Sequence, residues 1–170
     1  MNTTHIHLLL NHVAILGALF SVILLLAGMF IKSDILKKTA LLGFVLAALA
    51  SIPVFLTGEP AEESVEHLPG IVEATIHEHE ESAEFSIWAI EALGAFSLLG
   101  FIMMFRGSSI KSGFMGLVLI LSLIAAGSIS YTGYLGGKIR HTELSPTSGV
   151  PVNSGGEAEE EDDCCKKNIL

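Results

Sequence analysis

The stretch from His67 to Glu91 concentrates groups that bind metals and protons. It holds His67, His77 and His79 among Glu73, Glu78, Glu80, Glu81, Glu84 and Glu91. Read as one helix from about residue 71, His77, Glu81, Glu84, Trp88 and Glu91 recur every three or four residues and share a face. Imidazole and carboxylate so arranged suit zinc, iron or manganese, and imidazole is also the common axial ligand of haem iron. The same face is equally consistent with a solvated collar, so the elements that carry it have to decide.

Those elements are apolar. Hydrophobic residues make up 51% of the 170-residue chain and charged residues 16%, with a mean hydropathy of +0.62. The excess falls into four runs, about 8–31, 39–56, 87–105 and 113–134, with polar connectors between them. At about 1.5 Å per helical residue such runs match a hydrocarbon layer of about 30 Å. The expected fold is all-α: an integral membrane four-helix bundle in one domain over residues 1–141. An acidic, partly helical connector is expected between the second and third spans, and a disordered acidic tail over 142–170. Residues 1–7 carry no Lys or Arg, which argues against a secretory signal and for a retained first span.

Smaller features fit this frame. Gly43, Ala47 and Ser51 in the second run, and Gly133 and Gly137 near the end of the fourth, are small residues at four-residue spacing that let helices approach closely. Pro53 removes a backbone donor and should free the Leu49 carbonyl. Trp88, Tyr131 and Tyr134 are expected at a membrane–water boundary. The net charge of −9 gives the chain no electrostatic reason to seek nucleic acid. Cys164 and Cys165 are adjacent, so they build no disulfide framework, and the terminal KNIL fits no lipidation signature.

Orientation sharpens the question. Lys32, Lys37, Lys38, Arg106 and Lys111 lie in the two short connectors, which the positive-inside rule assigns to the cytoplasm. Both termini are then extracytoplasmic, and so are His5, His7, His12, His67, His77, His79 and His141. Two chemistries follow. In one, a b-type haem sits at the outer end with His12 and His77 as axial ligands, or else His7 and His141, while Lys138 and Arg140 pair with the propionates. The absence of C-x-x-C-H excludes ordinary covalent attachment. In the other, His12, His77, Glu81, Glu84 and Glu91 hold a zinc, iron or manganese ion. The remaining readings are plain: His5, His7, His67 and His79 as solvated surface residues, and Glu91 bonded to Ser130 or Tyr131.

The segments in order resemble a family of small bacterial four-helix membrane proteins whose domain has no assigned function. H-LLLN-H-VAILGALF (from His7) resembles that family's H-P-x-L-V-H-F-P-I-A opening. F-L-T-G-E-P-A follows the second run, His77 precedes the third, and T-G-Y-L-G-G-K-I-R-H resembles G-x-x-G-G-x-L-V-Y-x-H-G. Asn11, Val13, Ala14 and Thr142 depart from the pattern. The resemblance implies a bacterial inner-membrane protein with His7, His12, His77 and His141 as its histidines, binding haem or a metal. The expected function is electron transfer near the outer membrane surface, as a carrier or accessory subunit of a redox complex or homo-oligomer; the rival is a cofactor-free scaffold subunit. A transporter is disfavoured, because His12 and Glu91 are the two ionisable groups inside the spans and both lie at the outer end.

Overall fold

The computed structural model describes residues 3–63, 73–107, 110 and 112–140. Among them the backbone forms helices and turns alone: α1 (Thr3–Phe30), α2 (Asp34–Leu56), the short α3 (Gly58–Glu63), α4 (Glu73–Phe105) and α5 (Ser112–Arg140). The four long helices contain the four apolar runs, and each is long and apolar enough to cross a membrane. Helix α4 is continuous from Glu73, so the acidic segment and the third apolar run are one rod of 33 residues. Directly after Thr57 the chain enters α3, whose Ala61 is buried. The rest of the connector, His67 included, and the tail from His141 onward lie outside the described residues.

Local chemistry explains the sharp turn between α1 and α2. Lys32 takes a left-handed conformation (φ 57°), and the Ser33 N–H reaches back to the Gly28 carbonyl at 3.0 Å. That is a Schellman stop with lysine in the place glycine usually fills. Ser33 then caps α2, its hydroxyl accepting from the Leu36 N–H at 3.4 Å, while Lys37 pairs with Asp34 at 3.1 Å. Gly28 is required here: a Cβ on it would lie 2.9 Å from the Lys37 nitrogen. At the end of α4, Gly107 (φ 78°) supplies the same left-handed residue at no steric cost.

The helices form a ring in the order α1, α2, α4, α5, with α1 packed on α2 and α5, and α4 packed on the same two. Helices α1 and α4 therefore stand diagonally. Short turns make sequential neighbours antiparallel, so both basic turns share one end of the bundle. His5, His7, His12, His77 and His79 share the other.

Each inner face follows an alternating three–four spacing, the seam of a coiled-coil-like bundle. On α4 it runs Ile76, His79, Ala83, Ser86, Ile90, Leu93, Ser97, Gly100, Met104; on α5 it runs Met115, Val118, Ser122, Ala125, Ile129, Thr132, Gly136. These faces are rich in Ala, Ser and Gly, whereas Phe20, Phe30, Phe85, Trp88, Phe105 and Ile120 point outward and are exposed. Small residues bring the backbones close. Gly43 lies against Ser21, Gly94 against Ala48, and Gly133 against Ile15. Of the paired glycines in α5, Gly133 thus packs on α1, while Gly137 faces open space.

This packing predicts opposite effects for two glycine substitutions. A Cβ on Gly94 would come within 2.5 Å of the Ala48 Cβ, so Gly94→Ala should destabilise the bundle by about 1–3 kcal/mol. Exposed Gly127 has nothing within 4 Å, so Gly127→Ala should be neutral or stabilising by up to about 1 kcal/mol. Denaturant unfolding in detergent, followed by helical circular dichroism, distinguishes the two.

Candidate functional site

At the histidine end two imidazoles turn inward from diagonal helices. On α1 the inner stripe His7, Asn11, Ala14, Ala18, Ser21, Leu25, Gly28 carries His7 toward the interior, where it is partly buried. Its Nδ1 lies 3.0 Å from the Val54 carbonyl oxygen and 3.3 Å from the Thr57 hydroxyl. A carbonyl only accepts, so Nδ1 must carry the hydrogen. Thr57 directs its own hydrogen to the Pro53 carbonyl at 2.7 Å and is free to accept as well. In the neutral ring Nε2 is then the bare nitrogen.

His79 on α4 repeats the arrangement. Its Nδ1 lies 3.0 Å from the Thr132 carbonyl oxygen of α5, which fixes the same tautomer and again leaves Nε2 with a free lone pair. The two rings lie within electrostatic reach of one another. Below His79 the Thr132 hydroxyl acts as a hub: it donates to the Ser128 carbonyl at 3.1 Å and accepts from Ser82 at 2.7 Å and Ser86 at 2.9 Å. One donor and two acceptors exhaust a hydroxyl, so the cluster is closed.

The two histidine sites correspond part by part. One sequence offset relates His5 to His77, His7 to His79 and Gly28 to Gly100; a second relates Val54 to Thr132 and Gly58 to Gly136. Both glycines sit beside the rings. A Cβ on Gly58 would lie 3.8 Å from His7 Cε1, and one on Gly136 would lie 3.2 Å from His79 Cε1. Each imidazole therefore has a carbonyl holding its Nδ1–H and a glycine leaving space along its Cε1 edge.

The residues expected from spacing alone are arranged differently. His12 is exposed, and its Nδ1 donates to Leu8 of its own helix at 2.6 Å. The His77 side chain is 71% exposed, and its ion-pair contacts are with Glu80 at 3.7 Å and Glu81 at 3.5 Å on the same helix. Glu84 is exposed too. Glu91 is half-buried and bonded to Ser51 of α2 at 3.0 Å, while Tyr131 donates instead to Glu78 at 2.8 Å. The set His12, His77, Glu81, Glu84 and Glu91 is thus not brought together, and among the described residues no group of three or more His, Cys, Asp or Glu could hold a metal ion. Lys138 lies 5.7 Å over the Tyr134 ring. The Arg140 side chain and His141 lie outside the described residues.

The two histidines of α4 differ in helical phase. The stripe through His77 and the stripe through His79 have the same period, but the small residues Ser86, Ser97 and Gly100 lie on the latter and mark the face that packs. That stripe, extended back toward Glu73, and the recurring H-x-H (His5/His7 and His77/His79) are the sequence signals that single out His79.

Two imidazoles with pinned Nδ1–H groups and bare Nε2 atoms have the outer hydrogen bonds that a histidine ligand uses. An isolated zinc-type site wants three or four protein ligands, whereas haem supplies its own equatorial nitrogens and asks the protein for two axial groups. Two histidines match the second number and not the first. Comparison with protein-family models, curated proteins and solved structures gives no match.

The hub makes its own prediction. Thr132→Val keeps the shape but strips Ser82 and Ser86 of their shared acceptor, and Ser86 is buried. It should cost about 1–3 kcal/mol of unfolding free energy. Adding Ser82→Ala and Ser86→Ala to it should cost less than the sum of the single changes.

Proposed function

We propose that this chain is an integral membrane protein of four spans that binds b-type haem between His7 and His79 and carries electrons, alone or within a larger redox complex. The observation that supports this most directly is the shared geometry of the two rings: each Nδ1–H is held by a carbonyl of the neighbouring helix, and each Nε2 is left as a donor. Bound haem would supply one-electron chemistry at its iron. The protein's own contribution is to fix both tautomers, to hold the rings on diagonal helices and to surround them with closed hydrogen bonds.

The membrane reading is supported by the outer surface of the bundle, where many Phe, Leu and Ile side chains are exposed, while Ala and Ser join Leu, Ile and Phe44 inside. Lipid makes outward apolar side chains costless, and small residues then do the packing. The basic turns favour a cytoplasmic position for their end, which gives the histidines to the extracytoplasmic side of a bacterial inner membrane. The scaffold reading has one observation in its favour. Gly113, Gly116, Gly127 and Gly137 fall on a single outward stripe of α5 with nothing within 4 Å of them, as a partner helix would require.

Absorption spectroscopy decides between the two. Expressed with haem supplied, the purified protein should show a Soret band and a sharp reduced α-band. His7→Ala and His79→Ala should each cut bound haem at least about 10-fold. His12→Ala and His77→Ala should leave it unchanged. A colourless protein that co-purifies with a partner would favour the scaffold.

Topology has a separate check. With Cys164 and Cys165 replaced, a single cysteine at Glu59 should react with a membrane-impermeant maleimide in intact cells. A cysteine at Gly107 should react only after lysis. The reverse pattern would invert the orientation.

A further inference from the structure

The turn end of the bundle carries more positive charge than it can pair. Among the described residues its one acid is Asp34, which Lys37 engages at 3.1 Å. Lys32, Lys38 and Arg106 are left there without a carboxylate partner. Register brings two of these cations together. Helices α2 and α4 run antiparallel, with Ser51 bonded to Glu91, Ala48 against Gly94 and Leu41 against Gly100. Lys38 follows one turn beyond Leu41 and Arg106 less than two turns beyond Gly100, so the two differ by roughly 5 Å along the axis. Neighbouring helix axes lie about 8–10 Å apart. Two side chains as long as lysine and arginine can therefore close on one small anion.

Apolar walls lead up to that point. On α2, Lys38, Leu42 and Leu49 fall on one helical stripe that flanks the residues packed on α4. On α4, Glu91, Leu98, Ile102 and Phe105 share a stripe, and the Glu91–Ser51 bond sets that stripe beside α2. Leu42, Leu49, Leu98, Ile102 and Phe105 are all exposed. The two helices thus border an outward groove with apolar side chains along its length and unpaired cations at its end. Glu91 marks the other end, roughly 22 Å along α4 from Arg106 and too far away to pair with it.

We propose that the α2–α4 groove binds one anionic phospholipid, its phosphate between Lys38 and Arg106 and an acyl chain along Leu42, Leu49, Leu98 and Ile102. Charge complementarity selects this occupant. Each basic side chain near an anionic lipid headgroup adds favourable free energy, and two that converge on one phosphate add theirs at a fixed place. A zwitterionic lipid suits the walls equally but brings its own cation to the headgroup. A second copy of the chain, side by side in the same membrane, would set like charges against each other. The site requires the four spans to lie in lipid, and it is independent of whatever the histidines bind.

Native mass spectrometry of the full chain in detergent, titrated with phosphatidylglycerol or with phosphatidylcholine of the same acyl chains, tests this. One phosphatidylglycerol per chain should bind at a concentration at least about 5-fold below that needed for phosphatidylcholine. Lys38→Gln and Arg106→Gln should each remove most of that preference and leave phosphatidylcholine binding unchanged. Lys138→Gln, the same charge change at the histidine end, should keep it. Neither Lys38 nor Arg106 has a carboxylate partner, so both variants should match the parent in helical circular dichroism. Equal binding of the two lipids would overturn the proposal, as would a preference that survives both substitutions. Inorganic phosphate that displaces the lipid at equal concentration would overturn it too, and so would a dimer that carries no lipid. A chain extracted from membranes only by detergent yet showing no preference sinks the lipid site alone. One recovered in the soluble fraction sinks the membrane reading with it.

Discussion

Inside this bundle every polar hydrogen has to find its acceptor among a handful of other protein groups, and that constraint shapes the histidine end. An unpaired polar group removed from water costs about 1–3 kcal/mol in proteins and more in hydrocarbon. The cheapest acceptors are backbone carbonyls of neighbouring helices near their ends, where intrahelical bonding is incomplete. His7 uses Val54, within the last turn of α2, whereas His79 uses the second lone pair of the Thr132 carbonyl inside α5. Ser82, Ser86 and Thr132 satisfy one another, and Ser21, Ser122 and Ser128 donate to carbonyls of their own helices. The exception is Ser97, deep in the core, whose hydroxyl has no partner.

These bonds hold the helices in a defined axial register. Small residues alone allow α4 to slide along α2 or α5 in small steps, because Ala, Gly and Ser faces are nearly uniform. The clasp from Ser82 and Ser86 to Thr132 fixes α4 against α5, and the Glu91–Ser51 contact fixes α4 against α2. Close backbone approach at Gly43, Gly94 and Gly133 then supplies dispersion contacts rather than register. Helices α1 and α5 share the least contact of the four neighbouring pairs, so that seam is the one least constrained by packing.

The architecture was largely legible in the sequence because length and hydropathy specify it: four apolar runs, two short basic turns, and a helix running unbroken from the acidic segment into the third run. Which histidines turn inward was not legible. In a water-soluble helix the apolar stripe reveals which side faces in; here the outward side is apolar as well, and the hydrophobic pattern loses its phase. His77 and His79 differ by 200° around the helix and by nothing in hydropathy, so carboxylates at matching spacing pulled the reading toward the exposed one. The distribution of Ser and Gly carries the phase instead. Pro53 shows the same limit, since α2 continues through it to Leu56 and the consequence falls on Thr57, whose hydroxyl serves the Pro53 carbonyl.

The part-by-part correspondence between the histidine sites has a further consequence. Each half of the protein is a helical hairpin, turned at the basic end and latched at the other by its own imidazole. Helices α1 and α4 stand diagonally, so the two latches lie across the bundle end from one another and each closes its hairpin without help from the other half. Each hairpin thus carries its own histidine, carbonyl and glycine, while Glu91 belongs to one half alone.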